Sequence, residues 1–172
     1  MFKLRFVLVL AICSIVGNSV LAQRSDPESD LKAAFIYNFT KYIEWDESEP
    51  NEFSIGVIGP SPTYISLLEI AKKKTANDKK IVVRHFNKPE EIINCDILFI
   101  SANSTNQLPA ILGKVNKGTL TISEEDGAAE QGTAFNFVLV NDKLKFEANV
   151  KAINAAGLKA SSQLLKLAKI VD

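Results

Sequence analysis

Few residues in this chain have the type and spacing for chemistry. His85 is the only histidine in 172 residues, and Cys13 and Cys95 are the only cysteines. A general base needs a partner that orients it within hydrogen-bond reach. His85 sits in a strand-like run with no acid or cysteine at ligand spacing, so it reads as a strand residue. No serine occupies a Gly-x-Ser-x-Gly elbow. One histidine and two cysteines cannot supply a zinc ribbon or most histidine-based metal sites. Glu124-Glu125-Asp126 offers adjacent carboxylates of the kind that hold Mg²⁺ or Ca²⁺. On a turn ending in Gly127 they read instead as a solvated loop. Gly56-Val57-Ile58-Gly59 precedes a helix start, where free N–H groups favour anions. It lacks the dinucleotide fingerprint and the Lys-Ser/Thr pair of a phosphate loop, so a tight strand-to-helix turn is the better reading. Lys72-Lys73-Lys74 and Lys79-Lys80 bracket a helix end whose dipole favours cations, and they read as solvated. No catalytic, metal-binding or cofactor-binding residue follows.

Lysine plus arginine total 20 against 20 acids, which removes the basic stripe that nucleic-acid binders need. A 47% apolar and 23% charged composition fits a packed globule of one domain. The start of the chain is different in kind. Lys3 and Arg5 precede an apolar run from Phe6 to Val16, and Val20-Leu21-Ala22 places small residues at a cleavage site ahead of Gln23. That is the pattern of a secretory signal peptide over 1–22, too short to span a membrane. Ile12 stands where lipoprotein processing at Cys13 would need a small residue. Removing Lys3 and Arg5 leaves 18 positive and 20 negative groups, a charge of −2 on the mature chain 23–172. The periplasm is the expected location, and Cys95 is then the only thiol. It reads as a small core hydrophobe with no basic neighbour to activate it, and an intermolecular disulfide stays open.

The elements that position these residues follow from periodicity. Leu31, Ala34, Phe35, Phe39 and Tyr42 recur at helical spacing, with Asp26 or Ser29 as cap. Residues 46–52 form an acidic loop containing Pro50. Strands are expected at Phe53–Ile58, Ile81–Phe86, Ile97–Ser101 and Thr119–Ser123. Helical segments fall between them: one opening at Ser61-Pro62 and reaching Lys74, a turn over Pro89–Ile93, and Leu108–Val115. Strands without clean alternation, separated by helices, predict a parallel sheet covered on both faces. Phe135–Val140 and Lys143–Phe146 flank Asn141-Asp142, a two-residue turn, which predicts an antiparallel hairpin at one sheet edge. Asn149–Ala156 reads as a helix stopped by Gly157, and Ser161 as the cap of a last helix reaching Ile170, with Leu164, Leu167, Ala168 and Val171 on one face.

Five aromatics fall within eleven residues: Phe35, Tyr37, Phe39, Tyr42 and Trp45. Phe35, Phe39 and Tyr42 share one helical face and suit a core. Tyr37 and Trp45 fall off it, and they suit an interface as well as they suit packing.

These residues carry a resemblance. Leu31 to Trp45, reading Leu-Lys-Ala-Ala-Phe-Ile-Tyr-Asn-Phe-Thr-Lys-Tyr-Ile-Glu-Trp, is similar to the opening helix of the YfiR family of periplasmic proteins. The likeness continues through Phe53–Gly59, Cys95–Ser101, Gly118–Glu124, Phe135–Asn149 and Gly157–Ala168, in order. It implies an α/β, Rossmann-like three-layer domain without catalytic activity or cofactor. It further implies a regulator that docks on the extracytoplasmic part of an inner-membrane sensor, a diguanylate cyclase or a histidine kinase, and represses it. The positions it points to for partner binding are Phe135, Glu147 and Ile153, beside Tyr37 and Trp45 from the aromatic cluster. Members often pair the cysteine of the Cys-Asp-Ile-Leu segment with an upstream one, and residues 23–94 contain none. The loop Glu124–Ala134 also departs from the family's glycine-rich pattern. A homodimer is compatible with this reading, and nucleic-acid binding or membrane insertion of the mature chain is not. The alternative is a small-ligand receptor using the carboxyl edge of the sheet; a hydrolase or transferase ranks last.

Overall fold

The computed structural model describes residues 26–45 and 51–171. The expected leader over 1–22 and the loop residues 46–50 lie outside the described residues. Helix α1 (Pro27–Phe39) starts where Asp26 accepts hydrogen bonds from the N–H groups of Glu28 and Ser29, at 3.4 and 3.2 Å, with proline in the first turn. Its buried stripe is Ser29, Ala33, Ile36 and Phe39, whereas Leu31 and Tyr42 of the expected face are 45% and 40% exposed. The helix ends at Phe39, so Tyr42 lies beyond it and the face rotates toward Ile36.

Next come β1 (Ile43–Glu44), β2 (Glu52–Ile58), α2 (Thr63–Ala71), β3 (Thr75–Ala76) and β4 (Lys79–Phe86). A 3-10 turn (Pro89–Glu91) leads to β5 (Ile97–Ile100), and a second (Ala102–Gln107) leads to α3 (Leu108–Leu112). The chain finishes with β6 (Leu120–Ser123), β7 (Phe135–Val140), β8 (Lys143–Asn149), α4 (Val150–Ala155), β9 (Lys159–Ala160), α5 (Ser162–Leu165) and β10 (Lys169–Val171). Asn149 caps α4 by accepting from Ala152 N–H at 2.8 Å, and Ser161 caps α5 by accepting from Leu164 N–H at 3.2 Å.

Eight strands form a mostly parallel sheet in the order β10-β8-β7-β6-β5-β2-β4-β3, and β1 pairs antiparallel with β9 in a separate ribbon. The contiguous parallel strands β4-β2-β5-β6-β7 follow the 2-1-3-4-5 order of doubly wound sheets. Alternation along the strands sends Phe53, Ile55, Val57, Ile97 and Phe99 into a core under α1 and α2. Ile58, Leu98 and Ile100 point the other way, toward α3. Phe39 anchors the first core, its ring centroid 4.7 Å from Phe135 and 5.1 Å from Phe146.

The carboxyl end of the chain corrects two expectations. The helix begun at Ser162 lasts four residues, and Lys169–Val171 forms a strand parallel to β8. Spacing of three and four among Leu164, Leu167, Ala168 and Val171 fits a helix, but the open edge of β8 offers Ile170 and Val171 a ladder that local periodicity cannot see. The hairpin is therefore not at the edge, because β10 covers it. Asn141 and Asp142 do take the left-handed conformation, with φ of 51° and 59°. Asn77-Asp78, with φ of 50° and 60°, makes a second hairpin between β3 and β4, where the sequence suggests only a lysine-bracketed helix end.

Candidate interaction surface

The candidate residues sort by depth. Phe135 and Ile153 are buried, at 0% and 1% exposure, and pack in the core under α1. Either one reaches a partner only by shaping the elements above it. Trp45 is half-buried: its ring meets Phe53 edge-on with centroids 5.1 Å apart, and its Nε1–H donates to the Asp96 carbonyl at 3.2 Å. The Asp96 carboxylate in turn accepts from Ser54 N–H at 2.6 Å and from its hydroxyl at 2.9 Å. Trp45 thereby seals the amino end of the sheet. Tyr37 is half-buried beside the core, with Lys41 Nζ 4.7 Å above its ring.

Glu147 has a different setting. On β6, β7 and β8 the residues that alternate with the core face are Thr121, Ser123, Asn136, Glu147 and Asn149, all buried. Strand register lines four side chains up in one row across the sheet: Ser123, Asn136, Glu147 and Lys169. Ser123 Oγ donates to Asn136 Oδ1 at 2.7 Å, and Asn136 Nδ2 donates to Glu147 Oε2 at 3.3 Å. Lys169 Nζ donates to Glu147 Oε1 at 2.8 Å. Thr133 from the β6–β7 loop joins Ser123 at 3.2 Å, and Asn149 Nδ2 donates to the Ala129 carbonyl at 2.8 Å. Buried polar groups are costly unless paired. Here each pairing fixes something: the loop over β6–β8, and β10 against β8. The hydrogen bond to Glu147 pushes the Lys169 pKa above the ordinary lysine value. Of this row, the family resemblance points to Glu147 alone. The usable signal was the alternation in Thr121/Ser123 and Asn136 between apolar neighbours.

Glu124 belongs to a second tie rather than to a carboxylate cluster. Lys32 on α1 donates to Glu124 at 2.7 Å and pairs with Glu28 at 2.7 Å. Burial opposes the charge on Lys32, but Glu124 and Glu28 outweigh it and raise its pKa. Glu124 also accepts from Ala102 N–H at 3.2 Å, so α1, the 3-10 turn after β5 and the end of β6 meet at one carboxylate. A shallow groove of about 230 Å³ opens here, lined by Glu28, Lys32, Glu124, Asp126 and hairpin residues including Leu139 and Leu144. Leu139 is 59% exposed.

At the switch point of the sheet, between β2 and β5, the backbone closes on itself. Gly59 has φ of +83°, and a Cβ there would lie 2.0 Å from Ser104 Oγ and 2.4 Å from Ser101 Oγ. His85 Nε2 lies 2.9 Å from the Gly59 carbonyl. Cys95 is buried, and desolvation pushes its thiol up to about 12, which leaves it protonated and unreactive. No group of three or more metal-ligating side chains occurs among the described residues, and none of their helices is long and apolar enough to cross a membrane.

The described residues define an α/β domain built on a mostly parallel sheet with a buried, paired polar row. The chain belongs to the YfiR/HmsC-like family, whose profile matches residues 29–169. That family consists of periplasmic regulators of diguanylate cyclases and is regulatory rather than catalytic. Among solved structures, the chain is similar to a conserved domain protein from Vibrio cholerae O1 biovar El Tor, with a TM-score of 0.57 and 13% identity over 84% of this chain. The chain spans 60% of that protein's length, and the likeness concerns the fold alone. A protein described as an NADP oxidoreductase from Bacteroides fragilis matches at 11% identity over 71% of this chain and 61% of its own, with a TM-score of 0.33. A score that low bears on neither fold nor activity.

Proposed function

We propose that residues 23–172 form a single Rossmann-like regulatory domain, exported by the 1–22 leader. It docks on the extracytoplasmic domain of an inner-membrane sensor of the diguanylate cyclase type and holds cyclic-di-GMP synthesis down. The observation that carries this reading is the family match over residues 29–169. Docking can shift the sensor only by the difference in affinity for its two states. The docking face centres on the β7–β8 hairpin and α4, with Glu147 at its margin and Phe135 and Ile153 shaping it from beneath; Tyr37 lies on α1, and Trp45 follows β1, which pairs with β9 just after α4. The small-ligand alternative has less support. Its natural site is the sheet's switch point, where Gly59 packs on Ser101 and Ser104.

Deleting the gene in its native host and measuring cyclic-di-GMP tests the reading. The expected result is a rise that the intact gene reverses and a leaderless copy does not. An unchanged level after deletion overturns it.

A further inference from the structure

The β7–β8 hairpin outruns its neighbour in the sheet. Strand β7 pairs with β6 only at Phe135 and Asn136, whereas its other side pairs with β8 along its whole length. Beyond Asn136 the β6 side of residues 137–140 is unpaired among the described residues, because the chain leaves the sheet after Ser123. The shallow groove opens along this stretch, between the hairpin and the first turns of α1. One wall is apolar: Phe137, Leu139 and Leu144 carry the core face of the hairpin outward, and Leu139 is 59% exposed. Facing it are Glu28, Glu124 and Asp126. Lys32, the one cation in the lining, is held at 2.7 Å by both Glu28 and Glu124. Asp126 is exposed and has no partner among the described residues. Lys143 and Lys145 alternate with Leu144 along β8, so they project from the opposite face of the hairpin and leave the groove acidic.

Size and charge together select the occupant. At about 230 Å³ the groove is smaller than the roughly 300–1,000 Å³ of sites that enclose small molecules, so it suits a side chain of a larger partner. Three acids against one committed lysine repel phosphate, which disfavours lipid headgroups and nucleic acid. We propose that the groove between α1 and the β7–β8 hairpin is a docking site for an extended protein segment that carries one basic residue among apolar ones. The main chain of that segment pairs with the free side of residues 137–140, and alternate side chains supply selectivity. Its apolar side chains cover Leu139 and Leu144, and its basic group lies against Asp126 and Glu28. The tie from Lys32 to Glu124 is here a positioning contact: it sets the distance of α1 from the hairpin, and need not touch the partner.

The inference rests on the reading that the chain acts by docking and names the chemistry of its partner; its test is separable from cyclic-di-GMP output. A capped peptide with one lysine between two pairs of valines is titrated into the mature chain, and the same peptide with glutamate for lysine serves as comparator. The lysine peptide should bind at least about tenfold more tightly, and its binding should weaken with salt. Amide exchange over 137–140 should slow by about tenfold at saturation. Asp126→Asn and Leu139→Ser should each weaken binding while the folded circular-dichroism spectrum is kept, and Lys145→Ala on the opposite face should not. Equal affinity for both peptides, or no protection over 137–140, overturns the proposal. So does binding that survives Leu139→Ser and is displaced by spermidine, which is a bare cation site, or a sedimenting dimer with 137–140 already protected. A deletion strain with unchanged cyclic-di-GMP overturns the regulatory reading and leaves the peptide result standing.

Discussion

Strands β6, β7 and β8 present two faces that do different work. On one, Phe135, Phe137 and Phe146 gather with Phe35 and Phe39 of α1. On the other, Ser123, Asn136 and Glu147 form a paired polar row that reaches Lys169. Aromatic burial is large and non-directional, so it supplies cohesion and tolerates rearrangement. Hydrogen bonds contribute less net free energy but demand one geometry, so the polar face fixes which strand lies where. Cohesion and register are thus separated onto opposite sides of the same three strands.

The sharpest way to break the comparison is at Phe39, the centre of the aromatic side. Phe39→Ala should cost about 3–5 kcal/mol, measured by denaturant melts; a loss under 1 kcal/mol would mean the cluster is not the cohesive element. Asn136→Ala comes next. It leaves Ser123 and Glu147 without their shared partner, at about 1–3 kcal/mol for a stranded buried group, and amide exchange should speed up over 169–171 before it does over α1. Uniform acceleration would show that the polar row has no local role.

Alkaline titration separates a third effect. The Cys95 thiol is pushed from 9.0 to about 12 in the folded state, so the folded chain keeps a proton that the unfolded chain releases. Stability is fully present below pH 9.0 and falls as pH rises toward about 12, by at most about 1.4 kcal/mol per pH unit. Cys95→Ala should flatten that slope while lowering stability at neutral pH; an unchanged slope rules the thiol out as its source. The smallest effect belongs to Lys169. Its raised pKa means that the tie to Glu147 is complete below the ordinary lysine value and is lost only as pH climbs past it. Lys169→Met should leave the melting temperature nearly unchanged yet loosen β10 in exchange experiments. A large melting shift would mean that this half-buried pair carries more than local order.

Much of the frame was legible along the chain. Spacing and punctuation placed β2, β4, β5, β6 and β7 within two residues, and fixed the Asn141-Asp142 turn and the caps Asp26 and Ser161, because strands buried on both faces, Asn-Asp turns and capping side chains leave local marks. The helix face was misplaced toward Leu31 and Tyr42, since Ala33 and Ile36 are the residues a neighbouring α2 and sheet select. Of the candidate site, the family resemblance pointed to Glu147, and nothing in the sequence pointed to its partners Ser123, Asn136 and Lys169.

What the sequence determined by itself is the central strands and the helices between them, the absence of a recognisable nucleophile–base pair, and the likeness to a regulatory family, all of which depend on residue type and local spacing. What the tertiary structure decided is how those elements are used. Val171 became strand rather than helix, Phe135 and Ile153 sank into the core, and four residues drawn from four strands became one row. Each of these depends on which strands lie side by side, and a one-residue slip in register would undo them.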